Sequence, residues 1–139
     1  MNGAALLENR IAEALPADEE RLFADASTLL RIDANIVYCC EARAFADAAI
    51  RLHRVLLPAN GYQLGETAAR RGLASSWRPG DAHALPFEAA TPALALLRAT
   101  AHALARQHEA EERARCASCG GRGWTIARDG SRHLCSHAG

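Results

Sequence analysis

The chain has 139 residues, enough for one ordinary domain, or a domain with a small appendage, and for a real core. Half of the residues are apolar, much of that alanine, and only 5% are aromatic, which favours closely packed helices because strands draw on β-branched and aromatic side chains. The formal net charge is zero, which excludes a protein drawn to nucleic acid or to an anionic membrane by its overall field.

In chain order, Leu7, Ile11 and Leu15 at spacing four predict a helix over residues 4–15, ended by Pro16. Asp18 then reads as an N-cap, with Glu19 and Glu20 in the first turn of the next helix. An apolar stripe runs from Leu22 through Ala26, Leu29, Ile36, Val37, Cys40, Ala44, Ala48, Leu52 and Val55 to Leu56, and Asp33 interrupts it. Residues 18–58 are therefore one kinked helix or two, with Asp33 capping the second. Pro58-Ala59-Asn60-Gly61 is a stop, Asn-Gly suiting a left-handed turn. A short helix is expected around Glu66–Gly72, then a loop over residues 73–90 punctuated by Pro79-Gly80 and Pro86. Thr91-Pro92 opens the last long helix, a cap followed by Pro in the first turn, with Leu94, Leu97, Ala101, Leu104 and His108 on one face.

The end of the chain changes character. Residues 1–112 hold 11 Arg and 15 acidic residues, a net of −4, whereas residues 113–139 hold Arg113, Arg115, Arg122, Arg128 and Arg132 against Asp129, a net of +4. Cys116 and Cys119 are separated by two residues, Gly120, Gly121 and Gly123 follow, and Cys135-Ser136-His137 comes after fifteen intervening residues. Zn²⁺ takes four soft or borderline ligands in a tetrahedron, and two cysteines so spaced reach one ion when the chain turns tightly behind them. Trp124-Thr125-Ile126, the turn signal Asp129-Gly130 and His133-Leu134 predict a hairpin that carries Cys135 back to the first pair. The expected ligands are Cys116, Cys119, Cys135 and His137, with His133 as the rival for the fourth place. A shell filled by protein leaves no position for water or substrate, so the site is expected to be structural.

Cys116-Ala-Ser-Cys119-Gly-Gly-Arg-Gly123 resembles one repeat of the C-x-x-C-x-G-x-G pattern in the cysteine-rich region of DnaJ-type chaperones, whose paired repeats share a zinc ion. Cys135-Ser-His137 departs from the second repeat, and no His-Pro-Asp signature is present, so co-chaperone activity does not carry over. A helix leading into C-x-x-C-G, with a later cysteine, also looks like the DksA/TraR family of RNA-polymerase regulators, without that family's fourth cysteine or acidic tip motif. Both likenesses cover the cysteine module alone.

Elsewhere the chemistry is sparse. Cys39-Cys40 reads as core packing, since adjacent helical residues point about 100° apart. His53, His83, His102 and His108 read as ordinary surface or half-buried histidines. Leu64–Leu73 has the look of the first helix and turn of a helix-turn-helix, which Pro79-Gly80 then breaks. No nucleophile elbow, phosphate-cradling loop or His-Glu-x-x-His motif occurs. The sequence predicts a mainly α protein: a bundle of four or five helices over residues 1–112, and a zinc-bound β-hairpin over residues 113–139. The expected function is non-enzymatic, an accessory or regulatory protein binding another macromolecule. A protein partner is favoured, and Arg122, Trp124, Arg128 and Arg132 form the candidate surface. A nucleic-acid partner for the basic module, or a helical homodimer with zinc as a staple only, are the alternatives. The N-terminal residues lack the pattern of a secretory signal, no run is long enough to span a membrane, and the cysteine usage suits a reducing cytoplasm. The lysine-free composition is compatible with a phage or mobile-element origin.

Overall fold

The computed structural model describes residues 2–30, 39, 43–116, 119–120 and 122–135. They form two compact units, Met1–Ala105 and Arg106–Gly139. Helix α1 spans Gly3–Ala12; Asn2 caps it by accepting the Ala5 N–H at 2.8 Å, and Ala4, Leu7 and Ile11 form its buried stripe. It stops short of the expected residue 15. Leu15 precedes a proline and takes the extended conformation that proline imposes (φ −96°, ψ 162°), which leaves its side chain exposed. Asp18 does not cap the following helix. It closes a 3₁₀ turn over Pro16–Asp18, its Oδ2 accepting the Leu15 N–H at 2.9 Å.

Helix α2 follows at Glu19–Leu30, burying Leu22, Phe23, Ala26 and Leu30, and α3 spans Phe45–Leu56, burying Phe45, Ala48, Ala49, Leu52 and His53. Among the described residues, α2 and α3 are separate helices within the stripe over residues 18–58; Asp33, Ile36, Val37 and Cys40 lie outside the described residues. Cys39 is buried in the core. Helix α4, Pro92–Ala114, starts under a Thr91 cap whose Oγ1 accepts the Leu94 N–H at 3.2 Å. Its first half is buried on nearly every side: the expected face of Leu94, Leu97, Ala101 and Leu104 is joined by Ala93, Ala95, Leu96, Ala99, Thr100 and Ala105. A helix apolar all round belongs at the centre of a core. Each fully buried leucine contributes about 2 kcal/mol by removal from water. From Arg106 to Arg115 every residue is exposed, His108 included.

Between α3 and α4 the sequence reading is corrected. The segment expected as a short helix and a loop is an antiparallel three-stranded sheet in the order β1-β2-β3: β1 Gly61–Glu66, β2 Gly72–Trp77 and β3 Phe87–Ala89. Register runs from Gly61 opposite Trp77 to Glu66 opposite Gly72, and from Gly72 opposite Ala89 to Ala74 opposite Phe87. The would-be first helix of a helix-turn-helix is the tip of this hairpin. There Arg70 N–H donates to the Thr67 carbonyl (2.9 Å), Thr67 N–H donates to the Arg71 carbonyl (2.7 Å), and Arg70 is left-handed at φ 60°. The glycines explain the arrangement by space. A Cβ on Gly72 would lie 2.0 Å from the Thr91 carbonyl oxygen, and one on Gly61 would lie 2.5 Å from the Trp77 ring. Gly61 is therefore required for close approach; it is not a left-handed turn residue.

His53 also departs from expectation, being fully buried where α3 meets β2. Its Nε2 lies 2.8 Å from Ser76 Oγ, which also accepts from Asn60 Nδ2 at 3.2 Å, and its ring meets Tyr62 at 5.1 Å. Burial, and secondarily the Arg54 charge, push its pKa down to about 4.

Two outcomes follow from these geometries. Arg70→Gly removes left-handed strain and raises stability by about 0.5–1 kcal/mol, whereas Gly72→Ala lowers it by about 2–3 kcal/mol, both read by urea denaturation. In the folded chain His53 stays neutral well below the free-histidine pKa of about 6.5. Its contribution is complete above pH 6.5 and is lost as pH falls toward 4, because the unfolded chain takes up a proton that the folded chain refuses. Thermal melts between pH 7.5 and 4.5 should therefore show a steeper loss for the native chain than for His53→Gln; parallel curves would contradict this.

Candidate metal centre

The second unit begins in the last turns of α4, and its helical ladder closes with Arg115 N–H donating to Glu111 and Cys116 N–H to Arg113. The chain then folds back on itself. Gly120 N–H donates to the Cys116 carbonyl at 2.8 Å, and Arg122 N–H donates to the Cys119 carbonyl at 3.1 Å. Gly120 and Gly123 carry the reversal at φ 59° and 84°, values that an L side chain rarely adopts. Strands β4, Trp124–Ile126, and β5, Arg132–Leu134, pair antiparallel as expected, with Trp124 opposite Leu134, Thr125 opposite His133 and Ile126 opposite Arg132. Their turn has Gly130 N–H on the Ala127 carbonyl, Ala127 N–H on the Ser131 carbonyl, and Gly130 at φ 84°. Asp129 Oδ1 accepts from Ser131 N–H (2.9 Å) and Oγ–H (2.6 Å), hydrogen bonds that hold its carboxyl below the usual range. At the open end of the hairpin, Cys135 N–H donates to the Gly123 carbonyl at 3.0 Å.

That last bond returns Cys135 to the first pair. The sulfurs of Cys116, Cys119 and Cys135 lie within 4.8 Å of one another, with Cys116 and Cys135 3.4 Å apart. Cys119 is fully buried and the other two are half-buried. None of the described cysteines is in a disulfide, whose sulfurs would stand about 2.05 Å apart. Thiolates at 2.3 Å from one tetrahedral ion stand about 3.8 Å apart, so this cluster could hold a metal ion with little adjustment. A three-sulfur donor set suits a soft or borderline ion rather than Mg²⁺ or Ca²⁺.

Of the two candidate fourth ligands, His137 lies outside the described residues. His133 is exposed on β5 with Nε2 2.8 Å from Ser131 Oγ, and it is not part of the cysteine cluster. The strand alternation that suggested it carries no information about the outward lean of its side chain. The candidate surface residues are partly gathered: the guanidinium carbons of Arg122 and Arg132 lie 4.9 and 4.6 Å from the centre of the Trp124 ring. Arg128 is exposed at the turn. Arg122 Nε also donates to the Cys119 carbonyl at 2.9 Å, tying this cation to the cysteine loop.

Two other polar groupings in the first unit were not visible in sequence spacing. His53 and Ser76 have the separation of a base and a nucleophile, but the ring is sealed from solvent and its Nδ1 finds no hydrogen-bond partner among the described residues. No carboxylate among the described residues orients it, so the pair reads as a structural link. His102 Nδ1 lies 3.0 Å from Glu8 Oε1, a pairing across 94 residues, with Phe87 against the ring. A pocket of about 310 Å³ lies where α2, α3 and α4 begin, lined by Glu19, Arg43, Phe45, Asp47 and Thr91 among others. The Glu19 carboxylate accepts the Thr91 hydroxyl there, so the chain itself supplies the negative charge that helix N-termini favour.

No family model, curated protein or solved structure matches the chain.

The sulfur geometry has a direct readout. After chelation and mild oxidation with diamide, mass mapping should find an intramolecular Cys116–Cys135 disulfide ahead of any linkage to Cys39; a Cys39 linkage as the main product would contradict the arrangement.

Proposed function

We propose that this chain is a non-enzymatic accessory or regulatory protein whose C-terminal hairpin is held by one structural Zn²⁺ and binds another macromolecule, a protein in the first instance. The observation that carries the reading is the convergence of three cysteine sulfurs within 4.8 Å at the foot of a two-stranded hairpin. Cys116, Cys119 and Cys135 would hold the ion with His137 in the fourth place. Such a shell is closed, and Zn²⁺ without an open position braces a chain and does not activate water. The strands it would brace have three residues each, and an isolated hairpin is marginal in water, so metal binding supplies stability that this small unit lacks. Three thiolates on Zn²⁺ carry a net charge of about −1, which Arg122 beside the loop offsets.

A nucleic-acid partner is the second reading. It is favoured by Arg122, Arg128 and Arg132, none of which pairs with a carboxylate among the described residues. Binding of that kind must weaken steeply with salt.

The metal is tested by elemental analysis of the purified chain. We expect one zinc per chain, lost in Cys116→Ser, Cys119→Ser and Cys135→Ser and retained in Cys39→Ser. His137→Ala should weaken retention against a chelator, while His133→Ala should not. Metal-free native protein, or equal retention in the cysteine variants, would sink the reading.

A further inference from the structure

Residues opposite one another in an antiparallel pair share a face. Trp124, Leu134, Ile126 and Arg132 are therefore on one face of the C-terminal hairpin, and Thr125 and His133 on the other. The first face is both apolar and cationic. Leu134 is 92% exposed and Ile126 58% exposed, while Arg132 and Arg122 both lie over Trp124. A cation held over an aromatic ring keeps its N–H donors available at the ring's edge, with part of its conformational freedom already removed. The one carboxylate of the hairpin, Asp129, is occupied by Ser131. The face thus presents guanidinium donors and aliphatic surface together, with no acid of its own to neutralise them.

From this we infer that the Trp124 face is a docking surface for a short, extended, acidic peptide segment of a partner protein, with carboxylates on Arg122 and Arg132 and aliphatic side chains on Leu134 and Ile126. The inference rests on the metal-braced hairpin proposed above and names its ligand. Charge complementarity sets the sign of the occupant. The exposed leucine and isoleucine set its class, since a phosphate backbone offers them nothing to cover. Size sets its length: strands of three residues span about 7 Å each and lie about 4.8 Å apart, far less than the roughly 800 Å² per partner of a standard interface. Alternate residues of an extended peptide point to the same side, about 6.6 Å apart, so acidic and aliphatic residues at every second position would meet this face together.

The test is fluorescence anisotropy with the full metal-loaded chain and a labelled peptide bearing Glu, Glu, Leu and Ile at alternate positions between Ser residues. The peptide with Gln for Glu and a single-stranded oligothymidylate serve as competitors. The acidic peptide should bind, and affinity should fall about tenfold or more in Arg132→Gln and in Arg122→Gln, and measurably in Leu134→Ser, with zinc content measured in each variant and the affinities compared at equal zinc content. The Gln peptide should compete poorly. Failure of the acidic peptide to bind, binding unchanged in all three variants, or preference for oligothymidylate would overturn the inference. The last of these would still leave the hairpin as a macromolecule-binding module. Concentration-dependent dimerisation lost in Arg132→Gln without peptide binding would assign the face to a second copy of the chain and overturn it too. Peptide binding that survives removal of the metal would support the face while overturning the zinc brace.

Discussion

The first half of helix α4 has almost no side turned to water, and the first unit is organised by the need to cover it. Nine apolar residues and Thr100 between Ala93 and Ala105 are buried, and Thr100 can be so only because its hydroxyl donates to the Leu96 carbonyl at 2.8 Å. Alanines at 93, 95, 99, 101 and 105 let neighbouring backbones come close, so the core is dense without many aromatic rings. The closeness extends to the sheet. Gly72 is tight against Thr91 at the cap of α4, and any side chain there would displace the strand from the start of the central helix. The position of the sheet is thus fixed by a missing side chain.

The β1–β2 and β4–β5 hairpins solve the same turn with different residues. Each has a tip closed by paired backbone hydrogen bonds, with one residue in the left-handed region. In the C-terminal hairpin that residue is Gly130, preceded by Asp129, and the turn is apparent from the dipeptide. In the β1–β2 hairpin it is Arg70, and nothing in Thr67-Ala-Ala-Arg-Arg71 announces a turn. Alanine and arginine are good helix formers, and local propensity there favours a helix. Tertiary packing overrides it, through Tyr62 and Leu64 on the core and the Arg71–Glu88 ion pair at 2.6 Å. The β1–β2 tip therefore carries backbone strain that the C-terminal turn avoids.

The cysteine cluster and the arginine–tryptophan face are built by the same few residues. Arg122 donates to the Cys119 carbonyl and lies over Trp124, so the loop that gathers the sulfurs also sets one edge of the exposed face.

What the sequence determined by itself is the part written in local chemistry. Thr91 at a helix start, Pro16 and Pro58 near helix ends, the Asp129-Gly130 turn and the Cys116–Cys119 spacing each act within a few residues, and each is legible without the fold. Only the tertiary structure decided that residues 61–89 form a sheet, that His53 is sealed against Ser76, that His102 meets Glu8, and that Arg132 leans over Trp124 while His133 turns to Ser131. Those outcomes depend on steric room and on contacts between residues far apart in the chain or on neighbouring strands. A glycine required because a carbonyl oxygen approaches from 19 residues away looks, in the sequence, like any other glycine.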